Sequence, residues 1–155
     1  MLYSTLILAT AKKIGVAGSL LLAICTQESG LNNVVVPHDG GSPSYGICQV
    51  KEGTARHMGY KGHSKDLMDP ATNIKWAAIY LKFQLDRYDN DWCKATAAYN
   101  AGSFNESKRY PGKPRNMKYI RLVQANLEKD LHYKLSCPRM DLTEADGRSY
   151  GHESR

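Results

Sequence analysis

The chain has 155 residues, 42% of them hydrophobic and 23% charged, which suits a single globular domain able to bury about two thirds of the surface its unfolded chain exposes. That composition excludes a disordered or low-complexity chain, and the sequence holds no apolar run of the roughly 20 residues needed to cross a bilayer. Lys and Arg outnumber Asp and Glu by 21 to 15, leaving a net charge of +6, so an anionic partner is favoured; nucleic acid, anionic lipid and acidic wall polymers all remain open. Ten Tyr against 2 Trp and 2 Phe lean towards a polar-rimmed groove.

In chain order, residues 2–14 are expected to form a first helix, with Leu2, Leu6, Ile7, Ala9 and Ile14 on its buried side and Gly15 as its stop. A secretory parse competes here, because Lys12 and Lys13 followed by an apolar run to Cys25 resemble the start and centre of a leader. Ile24 is wrong for a lipoprotein cleavage box, which takes a small residue before the cysteine, and cleavage would leave Glu28 four residues into a frayed terminus. A second helix is the better reading, N-capped by Ser19 and apolar almost all round, as a central core helix would be. On this reading the folded domain begins at the N-terminus, and any export signal has been removed or never existed.

That helix runs into residues 26–33, TQESGLNN, where Glu28 ends an apolar run just before a loop of Gly30, Leu31, Asn32 and Asn33. A carboxyl group there is half-buried. Lost hydration disfavours its ionised form, which is what a general acid working near neutral pH requires. The competing reading is a solvated Glu, placed badly against the negative end of the helix dipole.

Residues 34–45, VVVPHDGGSPSY, are dense in turn formers and predict a long loop or a short irregular hairpin, strand-like over Val34, Val35 and Val36. In the following SYGICQV, Gly46 lets the backbone pass close to a ligand while the Gln49 amide offers donor and acceptor to a sugar's acetamido and hydroxyl groups; a turn with an exposed Gln is the alternative. Residues 51–63 predict a short charged surface element whose His57 and His63 lack metal-ligand spacing. Asp69 and Pro70 read as N-cap and first helical residue of a helix reaching about Arg87, with Ile74, Ala77, Ala78, Leu81 and Leu85 inward and Trp76, Tyr80 and Phe83 as core and groove wall. After an Asp89-Asn90-Asp91 turn, another apolar helix starts near Trp92 and ends at Gly102, with Tyr99 and Asn100 as polar tips at its end. The basic stretch 108–118 reads as loop, and a last helix covers about 115–131 with Tyr119, Leu122, Val123, Ala125 and Leu127 for the core. Residues 132–155 are expected as a polar, loosely held tail.

Five segments taken in order carry a family likeness: AICTQESGLN (23–32), SYGICQV (44–50), LMDPATNIKWAAIYL (67–81), ATAAYNAG (95–102) and NMKYIRLV (116–123). The chain resembles the soluble lytic transglycosylases over about residues 2–127. The resemblance implies a mainly α fold of α+β, goose-lysozyme-like type: a helical domain over 1–131 with a central buried helix and a short irregular β or loop segment lining a glycan groove. It makes Glu28 the catalytic acid/base and Ser29 the neighbour that orients the substrate. It places Tyr45 and Gln49 along the groove, and Tyr99, Asn100 and Tyr119 near the carboxylate and the sugar. Ala77 stands where many relatives have glycine, and Cys48 where many have methionine.

The implied chemistry is non-hydrolytic cleavage of the β-1,4 bond between N-acetylmuramic acid and N-acetylglucosamine in peptidoglycan, giving 1,6-anhydro products with one Glu and no cofactor or metal. A hydrolytic muramidase would need a second carboxylate about 6.5–9.5 Å away if inverting; Asp39 is the nearby candidate, in a His38-Asp39-Gly40-Gly41 setting that reads more simply as turn chemistry. A wall-binding module without activity is the other alternative, and nucleic acid is disfavoured for want of a recognisable binding signature. The expected partner is the peptidoglycan glycan strand, bound by a monomer without stable membrane insertion. The site of action is outside the cytoplasm, in the periplasm or after delivery by a phage or a secretion machine, a phage-type lysin being preferred. Cys25, Cys48, Cys93 and Cys137 are too widely spaced for a paired metal knuckle. Cys25 precedes Ser29 by one helical turn and the 44–50 segment is expected along the same groove, so Cys25 with Cys48 is the favoured disulfide, with free buried thiols as the alternative.

Overall fold

The computed structural model describes residues 2–131, and the predicted tail and Cys137 lie outside them. The described elements are α1 (Leu2–Ile14), α2 (Gly18–Ser29), β1 (Val35–Asp39), β2 (Ser42–Tyr45), β3 (Val50–Lys51), α3 (Glu52–His57), a 3-10 turn (Ser64–Met68), α4 (Pro70–Arg87), α5 (Trp92–Ala101) and α6 (Met117–Leu131). The fold is mainly helical with one small sheet, as expected. Two compact units divide the chain, one up to Lys82 and one from Phe83.

In the first unit α2 is the buried helix, with Leu20, Leu21, Ile24 and Cys25 fully enclosed. Its N-cap is Ala17, with no side-chain cap; Ser19, expected in that role, falls inside the first turn. The helix ends on Gly30 in the left-handed conformation (φ 64°), whose N–H donates to the Thr26 carbonyl. α1 packs on α2 through Ile7 and Ala11. Leu2 is 81% exposed and Ala9 also faces solvent, correcting the expected inward face: the large residues suggested one stripe, but the buried one runs through the small Ala11.

The hairpin between residues 34 and 45 is present, β1 pairing antiparallel with β2 (Val35 with Tyr45, Val36 with Ser44, Asp39 with Ser42). β3 adds a third strand that the sequence did not announce, setting Tyr45 against Val50. Asp39 holds the turn: its carboxylate accepts the Ser44 hydroxyl at 2.6 Å and lies 4.0 Å from Lys51 Nζ, while the same ammonium donates to the Asp39 carbonyl. His57 and His63 are exposed.

α4 begins as the sequence predicts. Asp69 Oδ2 accepts the Thr72 N–H at 2.9 Å and the Thr72 hydroxyl at 2.8 Å. Ile74, Ala77, Ala78 and Leu81 are fully buried. Trp76 and Tyr80 are half-buried, whereas Phe83, expected as core or wall, is 37% exposed.

In the second unit, α5 is N-capped by Asp91, which accepts the Lys94 N–H at 3.0 Å. It closes on a left-handed Gly102, whose carbonyl accepts from Gln84 Nε2 and Arg87 Nη1. α6 starts at Met117 and not at Arg115. It buries Met117, Ile120, Val123 and Leu127, while Leu122 (40% exposed) and Ala125 turn outward. Tyr119, Val123 and Leu127 are buried as expected, and Met117 and Ile120 complete the 3.6-residue stripe in place of Leu122 and Ala125.

The two bonds from Thr72, the backbone N–H first, hold the Asp69 carboxyl below its ordinary value of 3.8, against a smaller opposing effect of burial. A depressed folded-state value means the cap's stabilisation is fully present above pH 3.8 and is lost as pH falls through the folded value. Asp69→Ala is expected to lower the unfolding free energy at neutral pH by about 1 kcal/mol, with the two proteins converging on acidification; urea titrations at several pH values measure this.

Candidate active site

The last turn of α2 carries Glu28 half-buried and Ser29 beside it, as the apolar run before TQESGLNN predicts. Ser29 Oγ donates to the Ile47 carbonyl at 2.6 Å and accepts the Asn32 N–H at 3.1 Å. One turn earlier, Cys25 is joined to Cys48, both residues being fully buried. The favoured pairing is therefore present, and Cys93 is also disulfide-bonded, so the free-thiol alternative is excluded for these three. Neighbouring residues 47 and 48 are thus bound to two successive turns of the helix that carries Glu28.

The 44–50 segment makes a tight turn. Gly46 is left-handed (φ 76°), and a Cβ there would lie 2.5 Å from Asn73 Nδ2, so glycine is required both by conformation and by space. Gln49 is left-handed as well (φ 52°), which costs a non-glycine residue about 1 kcal/mol. Its own side chain offsets this: Nε2 donates to the Gly46 carbonyl at 2.8 Å and to the Val34 carbonyl at 3.0 Å. Gln49 is 7% exposed. The amide group expected to face a sugar therefore closes its own turn and ties it to the residue preceding β1. Tyr45 ends β2, half-buried.

In the first unit, then, Glu28, Ser29, Tyr45 and Gln49 are carried by two stretches bonded to each other. In the second unit, Tyr99 and Asn100 occupy the last turn of α5, and Asn116 Nδ2 donates to the Ala97 carbonyl at 3.0 Å and to Asn100 Oδ1 at 2.9 Å. Tyr119, 7% exposed, follows in the first turn of α6. Among the described residues no group of three or more His, Cys, Asp or Glu is placed to hold a metal ion.

Two buried asparagines, Asn73 and Asn116, were not singled out from the sequence. Asn73 carried a readable signal: it falls four residues before Ala77 and eight before Leu81 on the buried stripe of α4, where a weak helix former with a polar amide needs a partner. Asn116 lay inside a stretch read as helix and gave none.

Comparison with known proteins sets this geometry in a family. Residues 5–120 match the family model described as the transglycosylase SLT domain. The chain belongs to that family. The SLT domain is 31% identical over 101 residues to Protein IpgF of Shigella sonnei, spanning 63% of this chain and 66% of that protein. It is 37% identical over 90 residues to the soluble lytic murein transglycosylase of Escherichia coli K12, spanning 54% of this chain and 14% of that protein. An inactive variant of the lytic transglycosylase Slt from Pseudomonas aeruginosa shares the fold, with a TM-score of 0.67 at 21% identity over 90% of this chain and 26% of that one. The chain thus spans just under two thirds of the Shigella relative and about a seventh of the Escherichia coli one.

The Cys25–Cys48 bond closes a loop with a sequence separation of 23, which in the chain-entropy account stabilises the SLT domain by about 3 kcal/mol. Replacing both cysteines by alanine is expected to lower the urea midpoint accordingly and to steepen the slope, because the unfolded chain freed of the bond exposes more surface. An unmoved midpoint would show that the bond does not constrain the unfolded chain.

Proposed function

We propose that this protein is a peptidoglycan lytic transglycosylase with Glu28 as its single acid/base. The observation that carries the reading is the placement of Glu28: a half-buried carboxyl in the last turn of a core helix, on a helix end bonded through Ser29 and Cys25 to the segment bearing Tyr45 and Gln49, in a chain of the SLT family. Protonated Glu28 donates to the glycosidic oxygen between N-acetylmuramic acid and N-acetylglucosamine, and the carbon–oxygen bond to the anomeric carbon breaks. The carboxylate so formed takes the proton of the muramyl 6-hydroxyl, whose oxygen closes on the anomeric carbon. One bond is broken, one formed, Glu28 ends protonated as it began, and no water enters. The substrate's own 2-acetamido group stabilises the oxocarbenium-like state, with polar side chains holding it in place.

A hydrolytic reading would need a second carboxylate. Asp39 accepts from Ser44 and is paired with Lys51, which supports its reading as a turn residue over that of a general base. Ser29 and Gln49 bond to the backbone, which supports a part for them in shaping the wall at Glu28; Tyr45 is the first-unit residue proposed to meet the sugar. For Tyr99, Asn100 and Tyr119 a sugar-contacting role rests on the resemblance alone. The reading sets the enzyme to work as a monomer on the wall outside the cytoplasm; among the described residues no helix is long and apolar enough to cross a membrane. The phage-type source remains an expectation of the sequence.

Incubating purified sacculi with the protein and with Glu28→Gln, and weighing the soluble products, tests this. Muropeptides ending in 1,6-anhydromuramic acid are expected from the wild type, with release by the variant reduced between about a hundred- and ten-thousand-fold. Products one water heavier would make the protein a muramidase. No release by either, with retention on the sacculi, would make it a binding module.

A further inference from the structure

Asn73 is fully buried in the first turns of α4 and makes contacts that α4 itself does not need. Its Oδ1 accepts the Cys48 N–H at 2.9 Å. Its Nδ2 donates to the Tyr45 carbonyl at 2.7 Å and to the Leu67 carbonyl at 2.8 Å. Three buried or part-buried backbone groups, which would otherwise lose hydrogen bonds on folding, are satisfied by one amide. The amide also fills the space left by the missing side chain of Gly46. The turn between Tyr45 and Gln49 is therefore wrapped around Asn73, which is itself fixed along α4 by its backbone N–H to the Asp69 carbonyl at 2.8 Å.

We propose that Asn73 is a positioning residue for the reaction assigned above, and the inference rests on that reading. Ser29 and Cys25 fix residues 47 and 48 to the helix end beside Glu28; Asn73 fixes the inside of the same turn, and so decides where Tyr45 stands relative to that carboxyl. Without the amide, the disulfide and the Ser29 bond still hold the turn onto α2. The variant therefore folds, but the turn loses its inner template and the alignment on which turnover depends.

The test compares Asn73→Ala and Asn73→Asp, the latter keeping size and the acceptor for Cys48 N–H but not the two donors, with Ile74→Ala. Ile74 is the next residue on α4, fully buried in the core, and serves as a control for destabilisation alone. Initial rates of release from soluble glycan strands are measured well below every thermal midpoint, with the folded fraction fixed by circular dichroism. Both Asn73 variants are expected to lose tenfold or more in kcat with KM changed less than threefold, while Ile74→Ala keeps its rate within threefold. Equal losses in Asn73→Ala and Ile74→Ala, or full activity in Asn73→Ala, would overturn the proposal. The wild-type products judge the reaction separately: reducing-end sugar would refute transglycosylation and leave the same rate comparison to judge Asn73. Should the wild type release nothing, the proposed function fails, and a positioning role for Asn73 in turnover fails with it.

Discussion

The first unit depends on how one turn of backbone, residues 45–49, is held against one helix end. The turn is unfavourable by itself: Gly46 and Gln49 are both left-handed, and backbone groups of Tyr45 and Cys48 are taken away from water. Each lost partner would cost about 1–3 kcal/mol, enough to undo the turn. Asn73 satisfies those groups, Gln49 and Ser29 engage the Gly46 and Ile47 carbonyls, and the Cys25–Cys48 bond removes the freedom to swing away. The polar bonds set the shape and the covalent bond sets the attachment.

Glu28 inherits its place from this arrangement. α2 is anchored by the burial of Leu20, Leu21 and Ile24, each contributing about 2 kcal/mol or more of transfer free energy, and Gly30 ends the helix one residue after Ser29. The carboxyl group therefore stands on a rigid element with its neighbours prescribed, a condition that acid/base work demands and a flexible loop does not meet. In the second unit Asn116 treats the end of α5 similarly, holding Asn100 through its side-chain oxygen.

Much of this was readable from the sequence because it follows from local rules. Gly15, Gly30 and Gly102 stop helices, Asp69 with Pro70 starts one, and the spacing from Ile74 to Leu85 names the buried stripe of α4. What the sequence did not show was decided by partners far along the chain. The bonds of the Gln49 amide were not readable, because Val34, fifteen residues earlier, supplies one of the carbonyls that engages it. Asn73 could be suspected as a polar residue on an apolar stripe, but its contacts 25 and 28 residues away could not be read. α1 misled for a different reason: large apolar residues on several faces allow more than one stripe, and packing selected the one through Ala11. The Cys25–Cys48 bond was within reach only because the resemblance brought the two segments together first.

The claim that a single carboxylate at Glu28 cleaves the glycan without water can be read from one isotope. Digesting sacculi in water enriched in oxygen-18 and measuring the muramic acid at the new chain ends is the direct test. The account predicts no incorporation of the heavy isotope, because the muramyl 6-oxygen closes the ring. One heavy oxygen for each bond cleaved would contradict it.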